Sequence, residues 1–274
     1  MLGAGISVQF GAALAKTLFD DLGPGGTVFL RVAFAALLLL LLWRPRVRDR
    51  SRRELALAAA FGVSLAGMNL SFYEALDRIP LGVTVTFEFV GPLGVAVAAS
   101  RRPLDVLWVT LAAVGILLLS DFGEFGGLDT AGVALALLAG AFWAAYILLS
   151  ARTGRVFPGG TGLALAMAVA SLVLVPVGVA DAGDALLRPD LLALGAAVAV
   201  LSSAIPYSFE LEALRGLAAG VFGVLMSLEP AMAALAGFVV LGQDLGAREL
   251  VAIVLVVAAS AGAARESSAQ VDRV

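Results

Sequence analysis

Ten stretches of this chain stay apolar for about the thickness of a bilayer, and that recurrence constrains the fold more than any single motif. They cover residues 2–19, 26–43, 55–73, 81–99, 104–120, 131–149, 160–180, 190–208, 217–241 and 247–264. A helix needs roughly 20 mostly apolar residues to cross the hydrocarbon region. Each stretch is bounded by charges, Pro or Gly, as spans are. The composition leaves no soluble alternative. Of 274 residues 61% are hydrophobic and 14% charged, with a mean hydropathy of +1.01, whereas soluble domains are about a quarter charged. The stretches are rich in Leu, Ala and Gly without polar alternation, which argues for helices over a β-barrel. The expected fold is an all-α integral membrane protein with ten transmembrane helices. Gly3, Gly5, Gly11, Gly62, Gly67, Gly115 and Gly140 would let helices approach closely. The first stretch is expected to stay as a span, since no small-residue cleavage site follows it. The longest polar loop, Trp43 to Leu55, is too short to hold a soluble domain.

Several kinds of chemistry are excluded at this stage. With no Cys and no His there are no disulfides or thiolate sites, and the commonest general base and metal ligand are missing. A serine–histidine protease and ordinary zinc chemistry are therefore out. Every Asp falls in a loop or at a span end, which argues against an aspartyl dyad. The chain reads as a non-enzyme without metal or cofactor. A phosphate-binding loop of the Gly-x-x-x-x-Gly-Lys-Ser/Thr kind is absent, so energy must come from a gradient or an exchanged partner. The net charge of −3 and the lack of a lysine-rich tract argue against nucleic acid.

Basic residues set the orientation. With the N-terminus inside, the inner segments hold thirteen arginines: Arg44, Arg46, Arg48, Arg50, Arg52, Arg53, Arg101, Arg102, Arg152, Arg155, Arg215, Arg265 and Arg273. The outer segments hold three, Arg78, Arg188 and Arg248. Both termini are expected in the cytoplasm, and the tail 265–274 is expected to be short, polar and frayed.

Two halves echo one another. Pro24-Gly25-Gly26-Thr27 recurs as Pro158-Gly159-Gly160-Thr161 at an offset of 134, and Glu74-Ala75-Leu76 as Glu212-Ala213-Leu214 at 138. At the second offset Gly82 meets Gly220 and Pro92 meets Pro230. This predicts a duplication, with residues 1–125 and 126–264 each forming five helices. Five is odd, so the second copy would cross in the opposite sense. Two inverted repeats around a central cavity are the architecture of many secondary transporters.

The polar residues inside the spans are the site candidates. Glu88 and Glu229 sit mid-span, and Lys16 and Arg31 lie within spans as well. Four such groups facing lipid would cost roughly 10 kcal/mol in all, so they must face a cavity or each other. Glu88 and Glu229 are candidate proton-coupling and substrate groups; the competing reading is a structural pair with Lys16 or Arg31. Lys16 and Arg31 either face the cavity or snorkel to the headgroups. Pro92 and Pro230 are candidate helix breaks, and Pro92 frees the carbonyl of Glu88 itself. Proton, substrate amine and that oxygen are expected to meet there. Gln9 shares a face with Lys16, seven residues on. Asn69 and Tyr73 are four apart on the third span, Trp143 and Tyr146 share a face of the sixth, and Ser203 and Tyr207 lie along the eighth with Ser202. All of these are candidate substrate contacts. Trp43 and Trp108 read as interfacial belt residues, and Glu210 and Glu212 are expected to be solvated at the inner end of the eighth span.

Certain runs also carry a family likeness. They are Gln9 to Lys16, Pro80-Leu81-Gly82 followed by Glu88-Phe89-Val90-Gly91-Pro92-Leu93, Ser100-Arg101-Arg102-Pro103, Ala141 to Leu148, and Leu225-Met226-Ser227-Leu228-Glu229-Pro230-Ala231. Together they resemble the EamA branch of the drug/metabolite transporter superfamily, and within it the threonine/homoserine exporters. The likeness spans Gln9 to about Gly262. It implies a bacterial inner-membrane carrier exporting small metabolites, neutral amino acids such as threonine or homoserine foremost, by proton-coupled alternating access. Export of drugs, nucleobases or other metabolites is the alternative. The implied partners are a small-molecule substrate and the bilayer. A monomer suffices, and a homodimer through lipid-facing Gly and Ala is left open.

Overall fold

The structure is a computed structural model that describes residues 15, 18–79, 81–119, 128–229, 231 and 246–271. All regular structure among the described residues is helical. Eleven helices are labelled here in chain order. They are α1 Phe19–Trp43, α2 Arg52–Leu76, α3 Leu81–Glu88, α4 Val90–Ala99, α5 Pro103–Leu119 and α6 Thr130–Val156. There follow α7 Thr161–Ala182, α8 Pro189–Ala199, α9 Ile205–Gly216, α10 Ala219–Met226 and α11 Ala247–Val271. Among the described residues, five helical segments are long and apolar enough to cross a membrane: Phe19–Trp43, Arg52–Leu76, Thr130–Val156, Thr161–Leu187 and Pro189–Gly216. Val83–Ala99, Pro103–Leu118 and Leu250–Ala263 are shorter apolar helices. Most of the first expected span, and residues 232–245 of the ninth, lie outside the described residues.

Helix ends follow local chemistry. Gly23 adopts a left-handed conformation (φ 65°) inside α1, and Pro24 then opens the long helical run, because only glycine takes this backbone freely and proline suits a first turn. The freed Gly25 N–H donates to Asp181 Oδ2 of α7 at 2.9 Å. A capping box opens α2: Ser51 Oγ accepts from the Glu54 N–H, and Glu54 Oε2 from the Ser51 N–H at 2.7 Å. Asp129 caps α6, and Pro189 stands at the first position of α8. At its far end α6 is closed by Arg215 of α9. That guanidinium donates to the carbonyls of Gly154 at 3.0 Å and Phe157 at 3.1 Å, and to that of Gly159.

Packing pairs α1 with α7 along their length, α2 with both α6 and α7, α4 with α10, and α5 with α11. The principal core fills the space among α1, α2, α6, α7 and the α8–α9 segment, around Phe61, Leu65, Tyr146, Ile147, Met167 and Leu174. A smaller core of Ala96, Val109, Ala112, Val224, Ala259 and Ala263 joins α4, α5, α10 and α11. Large apolar side chains remain on the outside, Leu42, Leu172 and Val254 among them, as a lipid-facing surface requires. Lipid tails are as apolar as leucine, so the helices are held by close fit rather than by exclusion from water.

The expected break at Pro92 is present: α3 ends at Glu88, Phe89 is a turn and α4 resumes at Val90. The freed Glu88 carbonyl does not meet the polar interior, however, which corrects that part of the sequence expectation. It lies against α6, where a Cβ built on Gly140 would stand 2.7 Å from it. The tail also differs from expectation, since α11 continues past Arg265 to Val271. Gly140→Ala should drive α3 and α6 apart and cost about 1–3 kcal/mol. Gly94→Ala, which adds a methyl where nothing lies within 4 Å, should be neutral. Thermal melts of the two purified variants, with size-exclusion profiles, check both.

Candidate functional site

Helices α1, α2, α3, α6 and α9 each bring a buried polar side chain to the interior. Arg31 projects from α1 and is only 6% exposed, so it does not snorkel to the headgroups. Its Nη2 donates to Asn69 Oδ1 on α2, and its Cζ lies 4.9 Å from the ring centroid of Tyr73, one turn further along. A cation over an aromatic face is held by the ring's quadrupole, the more strongly when desolvated. The Asn69 amide is fixed by its own Nδ2–H, which donates to the Leu65 carbonyl at 2.7 Å. Its Oδ1 also accepts from Tyr207 of α9, whose hydroxyl is 3.1 Å away. Asn69 thus ties three helices together through one oxygen.

A second link runs beside the first. Tyr146 of α6 is fully buried, with ring centroids 5.6 Å from Tyr207 and 5.5 Å from Phe61. Its hydroxyl donates to Glu210 Oε2 at 2.6 Å. Glu210 is 3% exposed, which overturns the expectation of a solvated residue at the inner end of its span. The helix runs on to Gly216, and Glu210 lies three residues after Tyr207, on the same inner face. Glu212 points outward and pairs with Arg215 as a surface group does.

Between these links the chain widens into a π turn, Val200–Ala204. Pro206 explains it, because a proline ring clashes with the carbonyl four residues back and cannot bond to it. Such turns are frequent at functional sites. Ser202 and Ser203 sit in the turn, both buried, and neither hydroxyl has a hydrogen-bond partner among the described residues. Ser150 and Thr153 of α6 are in the same condition, as is Nε of Arg31.

The carboxylates complete the region. Glu88, at the end of α3, is buried. Trp143 packs near it through Phe89, edge to face at 4.9 Å. Glu229 follows the turn at Ser227 and is half-buried. Of the sequence candidates, Arg31, Asn69, Tyr73, Tyr146 and Tyr207 are thus joined by direct contacts. Glu88 is buried next to Phe89, which meets the Trp143 ring, and Ser203 is buried in the π turn. Gln9, Lys16 and Pro230 lie outside the described residues. Glu210 is the member that sequence reasoning missed; its signal was the spacing from Tyr207, outweighed by two charges that looked like a span end. Among the described residues, buried Arg31, Glu88 and Glu210 offer matching charges to a zwitterion: an ammonium can sit on a carboxylate and a carboxylate on the guanidinium.

Comparison with other proteins places the chain in a family. Residues 130–265 match the EamA-like transporter family. The chain is similar to the threonine/homoserine exporter RhtA of Salmonella typhimurium, 45% identical over 258 residues that cover 93% of this chain and 87% of the relative. It is likewise similar to the threonine/homoserine exporter RhtA of Escherichia coli K12, 44% identical over 264 residues, covering 96% and 89%. One crystal structure of another protein superposes with a TM-score of 0.74 over 97% of both chains at 18% identity, a likeness of fold alone.

The two hydrogen bonds to Asn69 should differ in weight. Tyr207→Phe removes a neutral bond and should cost about 0.6 kcal/mol, the average for such bonds between membrane helices. Asn69→Leu strands a buried guanidinium and should cost about 1.5–3 kcal/mol. Unfolding both variants in mixed micelles tests the order; equal costs would mean that Arg31 does not depend on Asn69.

Proposed function

Since this chain belongs to the EamA-like transporter family, we propose that it is a secondary exporter of a small neutral amino acid, threonine or homoserine, across a bacterial inner membrane. The observation that carries this reading is the buried run of contacts from Arg31 through Asn69, Tyr207 and Tyr146 to Glu210, with Glu88 buried as well. The relatives' names supply the substrate. In this reading Arg31 holds the substrate carboxylate, while Glu88 or Glu229 takes either the substrate ammonium or a proton. Since one carboxylate cannot serve both, proton entry releases substrate, which is the logic of an antiporter. Glu210, held by Tyr146, is a positioning residue: it fixes the ring that packs at a tilt against Tyr207 and, through Tyr207, the Asn69–Arg31 pair. The protein is not an enzyme in this account, and its chemistry is binding and release.

Alternating access follows from ten helices in two inverted repeats, residues 1–125 and 126–264 with the tail 265–274, both termini cytoplasmic. Supporting this are the sequence echoes and the pairing of equivalent elements with one another, α1 with α7, α4 with α10 and α5 with α11. The packing of α2 on α7 is likewise mirrored by that of α8 on α1. A second reading, export of a flatter drug or nucleobase by the same route, is favoured by the rings of Phe61, Phe89, Trp143, Tyr146 and Tyr207 around the carboxylates.

Efflux of radiolabelled threonine and homoserine from preloaded cells, at matched expression, tests the reading. The intact chain should export both, Glu88→Gln should lose at least about tenfold in rate, as removal of one buried charged contact implies, and a protonophore should slow the intact chain. Efflux that persists in Glu88→Gln would make that residue structural and move the proton role to Glu229. No efflux of either amino acid would discard the substrate, and drugs and nucleobases would be assayed next.

A further inference from the structure

Where α1 leaves the membrane, its surface changes character within one turn. Leu37, Leu38, Leu41 and Leu42 are exposed, by 53%, 41%, 61% and 68%, and form an apolar strip on a helix that spans a bilayer. Trp43 follows, its ring packed against Gly159 and Gly160 of the neighbouring turn. A tryptophan at this level marks the headgroup boundary. Immediately beyond it the backbone reverses at Arg44, in the left-handed conformation (φ 42°, ψ 58°), which a residue with a side chain rarely adopts.

Beneath Trp43 a cavity of about 590 Å³ opens, lined by Trp43, Arg44, Arg46, Asp49, Arg50 and Thr161 with Pro45. Its arginines are not equivalent. Arg50 is engaged, pairing with Glu54 at 3.3 Å and lying over the Phe157 ring at 5.0 Å. Arg44 spends only its Nε–H, on the Leu41 carbonyl at 3.2 Å, which turns the guanidinium back along the helix and keeps its other nitrogens available. Arg46 has no hydrogen bond or ion pair among the described residues. Asp49 is the single carboxylate of the lining, so the cavity is cationic. A guanidinium fork matches two oxygens of a phosphate.

We propose that this cavity holds the phosphodiester headgroup of an anionic phospholipid, gripped by Arg44 and Arg46, with its acyl chains along Leu37, Leu38, Leu41 and Leu42. The apolar strip and the cationic cavity adjoin at Trp43 in the order headgroup and tails require. That order is what distinguishes a lipid from a free phosphate, which would use the arginines and ignore the leucines. Basic pockets beside membrane helices attract anionic lipid in this way. The site is remote from the Arg31 region and independent of what the protein transports.

The test uses the purified full chain in detergent and native mass spectrometry, with phosphatidylglycerol, phosphatidylcholine and inorganic phosphate as probes. The intact chain should retain phosphatidylglycerol roughly tenfold over phosphatidylcholine, and excess inorganic phosphate should not displace it. Arg44→Asn with Arg46→Gln should abolish the preference; asparagine tolerates the left-handed backbone, and Arg46→Gln alone, which leaves Arg44 untouched, should weaken it severalfold. Arg48→Gln with Arg52→Gln removes the same charge outside the cavity lining and should keep the preference. Equal loss in both double variants would reduce the effect to diffuse charge and overturn the site. Displacement by inorganic phosphate would overturn the lipid assignment.

Discussion

Inside a bilayer no water stands ready to complete a side chain's hydrogen bonds, so a guanidinium at that depth governs whatever surrounds it. Arg31 meets the requirement with one amide oxygen and one aromatic face, both from α2. The amide is held in turn by its own helix and by Tyr207 from α9. Three helices are thereby fixed to a single polar atom, and their relative rotation is set by chemistry rather than by apolar packing, which in lipid discriminates weakly between registers. The unpartnered Nε of Arg31 and the hydroxyls of Ser202 and Ser203 show where that satisfaction is incomplete, and therefore where a polar guest would be welcome.

The second constraint is steric. The broken helix α3–α4 carries a carbonyl that has lost its own helical partner, and the backbone of Gly140 on α6 comes up against it. Gly91 meets the carbonyl of Gly140 in return. Two glycines therefore let two main chains touch at the level of Glu88, and the acid's position is inherited from that contact.

Much of this was legible in the chain. The spans holding α1, α2, α6 and α7 announced themselves by length and hydropathy, the break before Pro92 by proline's missing N–H, and the shared face on which Asn69 and Tyr73 both meet Arg31 by helical spacing. What escaped reading depended on distant residues. Glu210 looked like a span end because Glu212 and Arg215 follow it, yet only Glu212 faces outward, while Arg215 turns back onto the end of α6. The Glu88 carbonyl was assigned to the interior because nothing local reveals a glycine on another helix. The repeated Pro-Gly-Gly-Thr also misleads in detail. In the first copy the left-handed glycine is Gly23, before the proline, and in the second it is Gly159, after it. The same four residues specify a turn in both places but not the same turn, because Asp181 holds one copy and Trp43 with Arg215 braces the other.

The π turn in the eighth span carries a further implication. Buried residues there fall on every fourth position, Leu191, Gly195, Ala199, Ser203, Tyr207 and Leu211 in one row and Val198, Ser202, Pro206, Glu210 and Leu214 in the next. A regular α-helix advances ~100° per residue, so a stripe counted in fours creeps ~40° sideways at each step. Over such a length the stripe would wind toward the lipid. The wide turn at Val200–Ala204 absorbs much of that creep by giving one revolution an extra residue. The halves on either side are like two gears meshed one tooth apart. A residue gained or lost within this segment would therefore not be taken up as a change of length; it would move Tyr207 and Glu210 to a different side of the molecule.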